Sequence, residues 1–336
     1  MSEAAFPLLG AAFVFVVVLP ACALLVKLAL VALERGRAGG PLELRYLLLT
    51  GSSALPLAWL VSASLHQLEP GKSVLACLFE HADATLCAEP AAFAFVLGAS
   101  TLALSLGASR RRRAARPARS EAARALLARL ARVVASEPGL APLAGRMVVT
   151  DEALAIGTRG WLRPEVVVGL DFAGELSDPM LAGALAHELE HVRSLDPLRY
   201  LAVELALAVN PLGRFLLAPH AARWLVAREA ECDREAVLGG AAPLPLAYAI
   251  VRAARPSPQL AVALGSPELA VIEYRVRMLL AFAERAPARH GAARPRLLPA
   301  SLALLGLTLL LPHQTSSAAL DVLHTGSERA LVAFLP

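Results

Sequence analysis

The chain has 336 residues, of which 57% are hydrophobic and 18% charged, with a formal net charge of +4. Soluble globular chains are about 45–50% apolar and about 25% charged, so a mean hydropathy of +0.58 excludes a purely water-soluble domain. The surplus arginine sits beside apolar segments, as at the cytoplasmic flanks of membrane helices, and no direct nucleic-acid partner is expected. Four cysteines are too few to frame a disulfide scaffold.

In chain order, the first apolar stretch covers 8–33 and the second 47–65, each long enough to span a bilayer as a helix. The segment before the first carries Glu3 and no basic residue, so it reads as an uncleaved anchor rather than a signal peptide. A third stretch covers 91–108, and a shorter fourth covers 297–311. Arg35, Arg37 and Arg45 separate the first two stretches. Arg110 to Arg113, Arg116 and Arg119 follow the third, and Arg285, Arg289, Arg294 and Arg296 precede the fourth. The loop 66–90 has a single lysine against Glu69, Glu80, Asp83 and Glu89. The positive-inside rule then puts the N-terminus outside and residues 109–296 in the cytoplasm of a bacterial-type inner membrane. Cys77 and Cys87 fall on the oxidising side, where a disulfide is chemically permitted, as are two free thiols.

The cytoplasmic part opens with an amphipathic helix over 120–136, with Leu126, Leu127, Leu130, Val133 and Val134 at helical spacing. Short valine- and isoleucine-rich runs at 146–150, 153–157 and 165–170 read as strands. The run at 153–157 is a candidate edge for pairing with an extended substrate, or equally a core strand. A second helix should start at Asp178-Pro179 and stop before Asp196-Pro197. The apolar stretch 198–217 contains Glu204, Asn210, Pro211 and Arg214. It reads as a buried or interfacial helix in preference to a re-entrant membrane element.

His187-Glu188-Leu189-Glu190-His191 lies on that second helix. Two histidines four residues apart project from one helix face, about one turn apart, and can reach one Zn²⁺. Glu188 between them is the candidate general base, taking a proton from an attacking water. Met180, Gly183 and Ala184, one turn earlier, are mostly small and should leave room around a metal. Downstream, Arg228-Glu229-Ala230-Glu231-Cys232-Asp233 offers a third ligand from a separate helix. Glu229 with Asp233 one turn on would supply a ligand and a carboxylate that holds a ligand histidine by its other ring nitrogen. Spacing alone leaves the frame open, because Glu231 and Glu235 repeat it. Arg275 is a candidate oxyanion stabiliser, with Arg228, His220 and Tyr248 as alternatives. Cys232 reads as a small packed residue. His66, His81, His290, His313 and His324 are assigned no metal.

These motifs resemble the BlaR/MecR-type antirepressor metallopeptidases, relatives of the prenyl-protein and HtpX-like membrane peptidases. The likeness covers residues 160–236. It rests on Gly160-Trp161-Leu162-Arg163-Pro164 before a valine run, and on the histidine motif followed by Arg193 and Asp196. Asn210-Pro211 and Glu229-Ala230-Glu231-Cys232-Asp233 complete it. The resemblance implies a mainly α membrane protein, with transmembrane helices plus a mixed α+β zincin-like metalloprotease domain carrying a small sheet. It selects Glu229 as the third ligand. Only 313–336 follow the fourth stretch, too few to fold as the external penicillin-binding domain of β-lactam-sensing members.

The layout expected is a membrane region over 1–108, a cytoplasmic zinc metalloprotease domain over 109–296, and a fourth helix with a short external tail over 297–336. The expected activity is a Zn²⁺-dependent endopeptidase cleaving a cytoplasmic protein, with a transcriptional repressor as candidate substrate. The alternatives are a housekeeping or prenyl-protein-type membrane peptidase and a non-catalytic receptor with a protease-like fold. Partners are the protein substrate and the lipid bilayer, and a homodimer is compatible with both.

Overall fold

The computed structural model describes residues 14–36, 41–66, 117–152, 155–254 and 267–284. The third and fourth apolar stretches, Cys77 and Cys87 lie outside the described residues. The described part is mostly helical with one small mixed sheet. The chain divides into two compact units. One contains residues 1–112, 202–222 and 296–336; the other contains 113–201 and 223–295.

In the first unit a π-helical turn, Val14–Val18, leads into helix α1, Leu19–Arg35, and then α2, Leu42–His66. Val16–Arg35 is the one helix among the described residues that is long and apolar enough to cross a membrane. Helix α2 coincides with the second predicted stretch.

The second unit opens with α3, Glu121–Ser136, whose N-cap Ser120 accepts a hydrogen bond from the Ala123 amide at 3.1 Å. Leu126, Leu130, Val133 and Val134 are buried, whereas Leu127, one residue off the stripe, is exposed. Strand β1, Met147–Thr150, pairs in parallel with β3, Glu165–Gly169. Strand β2, Ile156–Arg159, lies antiparallel on the other side of β3, so β2 is an edge strand. It starts three residues and ends two residues later than the second predicted run. Gly157, expected as a boundary, pairs with Val167, and the ladder continues to Arg159. The valines of β3 are fully packed, as expected of a central strand.

A short helix, α4, Leu170–Gly174, precedes α5, Asp178–Arg193. Arg129 of α3 ties this corner together, donating to Asp178 Oδ1 at 2.6 Å and to the Leu176 carbonyl at 2.7 Å. Leu181, Leu185, Leu189 and Val192 of α5 face a core completed by α3, β1 and β3. Then follow α6, Asp196–Val209, α7, Gly213–Leu238, α8, Pro243–Ala253, and α9, Pro267–Glu284. A second core forms where Ala236 and Val237 of α7 meet Leu246, Ala247 and Ile250 of α8 and Leu279 of α9.

Two sequence expectations change here. Gly183 does not open space around a metal: a Cβ there would lie 3.1 Å from the Leu246 backbone, so its small size lets α8 pack against α5. The stretch 198–217 is not one helix but the tip of an α6–α7 hairpin. Asn210 makes the turn, its Oδ1 accepting from the Leu212 amide at 3.1 Å. A Cβ on Gly213 would approach the Leu207 carbonyl to 2.7 Å, which closes the turn to larger residues.

Candidate metal centre

Helix α5 presents His187 and His191 on one face because the two are four residues apart, and both rings are buried. Helix α7 brings Glu229 to the same point. His187 Nε2 and His191 Nε2 are 3.1 Å apart. Glu229 Oε2 lies 3.3 Å from the first, and Glu229 Oε1 lies 3.5 Å from the second. A tetrahedral ion bound through imidazole nitrogen and carboxylate oxygen at about 2.0–2.2 Å needs donors about 3.3–3.6 Å apart. Two edges of the observed triangle have that size and the histidine–histidine edge is slightly shorter, and the three donors can hold a metal ion together.

Each ring has a carboxylate behind it. His191 Nδ1 is 2.7 Å from Asp196 Oδ2, and His187 Nδ1 is 2.7 Å from Asp233 Oδ1. A metal ion held by the two Nε2 atoms would need each imidazole neutral, with its one proton on Nδ1 toward the carboxylate.

The polar frame around the donors is dense. Arg275 of α9 grips Asp233 with Nε at 2.7 Å and Nη2 at 2.9 Å, and its Nη1 lies 3.1 Å from Glu229 Oε2. Arg228 Nε donates to Asp196 Oδ2 at 2.7 Å. Asp196 reaches His191 because Leu195, just past the end of α5, takes a left-handed conformation with φ of 53° and turns the chain back. Tyr200 Oη lies 3.5 Å from His191 Nδ1 and from Glu229 Oε1, its ring edge-on to Trp224.

Burial opposes ionisation of both Asp196 and Asp233, but their hydrogen-bonded histidine and arginine partners outweigh it and lower both carboxyls. Burial likewise disfavours the Glu229 carboxylate; the two histidines and Arg275 reverse that and hold it well below the usual range. Burial also works against a charged His187, but Asp233 and Glu229 overcome it and raise the ring to about 10. Burial pushes the Tyr200 hydroxyl and the Cys232 thiol up.

His187, Glu188, Glu229 and Arg275 line a cavity of about 280 Å³, walled by apolar residues including Ile156, Phe172, Leu246 and Ile272. The Thr158 hydroxyl on edge strand β2 donates to Glu188 Oε2 at 2.7 Å.

The structure therefore brings together His187, Glu188, His191, Glu229, Asp233 and Arg275. Arg275 meets carboxylates through Nε, Nη1 and Nη2 and also lines the cavity. Arg228 is committed to Asp196, His220 pairs with Glu34 at 3.0 Å, and Tyr248 is absent from the cavity wall. Cys232 is fully buried, 3.5 Å from His191 Nδ1, as a packed thiol. Sequence reasoning missed the roles of Asp196, Thr158 and Tyr200. Asp196 had two signals, its place just past the histidine helix and its place among the residues that carry the resemblance.

The fold and the donor set define a helical chain with a small mixed sheet and a three-residue centre, two buried histidines and a half-buried glutamate, that can hold a metal ion. No family model, curated protein or solved structure matches the chain.

Proposed function

We propose that the chain is a membrane-anchored zinc metalloendopeptidase, of the BlaR/MecR-like kind that its motifs resemble. The observation that carries this reading is the triangle of His187 Nε2, His191 Nε2 and Glu229 beside a cavity that also holds Glu188. Two histidines, one glutamate and no thiolate among the donors suit zinc, and three protein ligands keep one position open for chemistry. Bound there, zinc would supply Lewis acidity toward a peptide carbonyl and an activated water.

The chain's own residues do the rest. Glu188 takes the proton of the attacking water and returns it to the leaving amine. Thr158 fixes its carboxylate, while Asp233 and Asp196 orient the two imidazoles. The apolar walls exclude water and receive a substrate side chain. In this reading α1 anchors the protein, with the further apolar stretches as additional spans and the metal centre facing the cytoplasm. A cytoplasmic protein, a transcriptional repressor among the candidates, is the substrate.

The Glu188→Gln variant tests the mechanism. It should retain stoichiometric zinc by elemental analysis while cleavage of cellular substrates falls by roughly 10²–10⁴-fold. Wild-type cleavage in that variant would sink the mechanism, and a wild-type protein without zinc would favour a receptor built on a protease-like fold.

A further inference from the structure

The α6–α7 hairpin between the two ligand-bearing segments packs along α1. At its tip Asn210 Nδ2 donates to the Leu19 carbonyl at 2.6 Å, and ten residues later His220 pairs with Glu34 at 3.0 Å. Leu19 and Glu34 are fifteen residues apart on α1, about 22 Å of helix rise. If α1 crosses the bilayer, the tip lies about 22 Å from its arginine-bearing end, deep within a hydrocarbon core about 30 Å thick.

Polarity in this unit is inverted relative to a water-soluble domain. Ser52, Ser53, Asn210 and His220 are buried, and Ser53 donates to the Ala206 carbonyl of the hairpin at 2.7 Å. Large apolar side chains are turned outward: Leu25 is 65% exposed on α1, and Leu212 and Phe215 are 43% and 81% exposed at the hairpin tip, with Glu204 and Arg214 the exposed charges of residues 202–222. Polar groups turned inward and hydrogen-bonded, with apolar groups turned outward, is the arrangement lipid requires. Arg214 lies one turn past Asn210, near the outer end of α1, where its long side chain can snorkel to the far headgroups.

We infer that residues 202–222 form a re-entrant hairpin inserted in the hydrocarbon interior of the bilayer, with Leu212 and Phe215 in contact with acyl chains. This reverses the preference drawn from sequence, and it rests on the reading that α1 spans the membrane.

The test uses the full chain in native membranes, with the photo-crosslinking residue p-benzoylphenylalanine placed singly at Leu25, Leu212, Phe215 or Glu137. Glu137 is exposed on the other unit. Irradiation followed by mass spectrometry should find acyl-chain adducts at Leu25, Leu212 and Phe215 and none at Glu137. Adducts at Leu25 with none at Leu212 and Phe215 would overturn the hairpin while leaving the α1 anchor standing. Protein–protein crosslinks in place of lipid at Phe215 would overturn it in favour of a partner chain. Lipid adducts at none of the positions would remove the α1 span itself, and the hairpin inference with it.

Discussion

Asp196 gives the sharpest test of the metal centre, because both of its short contacts fall on one oxygen. Oδ2 lies 2.7 Å from His191 Nδ1 and 2.7 Å from Arg228 Nε, and the side chain is fully buried. Asp196→Asn can place its carbonyl oxygen where Oδ2 stands and accept from both donors, losing charge but not geometry. Asp196→Ala removes both bonds and leaves Arg228, itself buried, without its carboxylate. Breaking such a pair by deleting one partner costs about 3–5 kcal/mol of stability. Losing the carboxylate behind a ligand histidine costs about 10–100-fold in metal affinity. The alanine variant should therefore unfold at markedly lower denaturant and bind zinc about 10–100-fold more weakly. The asparagine variant should stay close to wild type in denaturation and fall near the low end of that range in affinity. Denaturant titration of the metal-free protein and competition with a chromophoric zinc chelator separate the two effects. A folded Asp196→Ala protein with wild-type zinc affinity would refute the idea that Asp196 orients His191.

Thr158→Val should keep zinc but lower kcat by roughly 10–100-fold, the equivalent of one hydrogen bond of about 1.5–3 kcal/mol to a charged group. Thr158→Ser should restore most of it, and equal activity of all three proteins would show that the hydroxyl does no positioning. Gly183→Ala should lower Tm through a clash with the Leu246 backbone costing about 1–3 kcal/mol, and an unchanged Tm would count against that close helix contact. In the metal-free protein His187 is raised from 6.5 to about 10 by its carboxylate partners acting against burial. A pKa raised by folding stabilises fully below the unfolded value and loses that contribution as pH rises through the folded one. The metal-free protein should accordingly lose stability between about pH 6.5 and 10, and zinc binding within that window should expel close to one proton. Calorimetry in buffers of different ionisation enthalpy would show it, and a buffer-independent heat would contradict it.

What the sequence revealed, and what it hid, follows from how far each contact reaches. The two histidines were legible because four residues is about one helical turn, so their shared face needs no tertiary knowledge. The candidate third ligand was not legible from spacing, since Glu229, Glu231 and Glu235 all sit on one helix. Tertiary packing makes the choice. Glu231, two residues or about 200° round the helix from Glu229, is engaged by Arg234 Nε at 3.0 Å, and the same guanidinium takes Glu235 at 2.6 Å. The strands were found where valines run unbroken in β3 and displaced where β2 alternates with Gly157 and Thr158, because an edge strand carries a weaker apolar signal.

Asp196 and Thr158 stayed hidden for different physical reasons. Asp196 depends on a left-handed Leu195, a conformation that leucine rarely adopts and no sequence rule announces. Leu195 lies between the helix that carries His191 and the carboxylate that meets its ring, and backbone strain of this kind concentrates at functional sites. Thr158 meets Glu188 across thirty residues of chain, through a strand whose bounds were read two to three residues off. Both residues act on the motif without belonging to it. The five-residue motif thus locates the proposed chemistry, and the contacts that would tune it come from a strand edge and a turn that only the folded chain brings near.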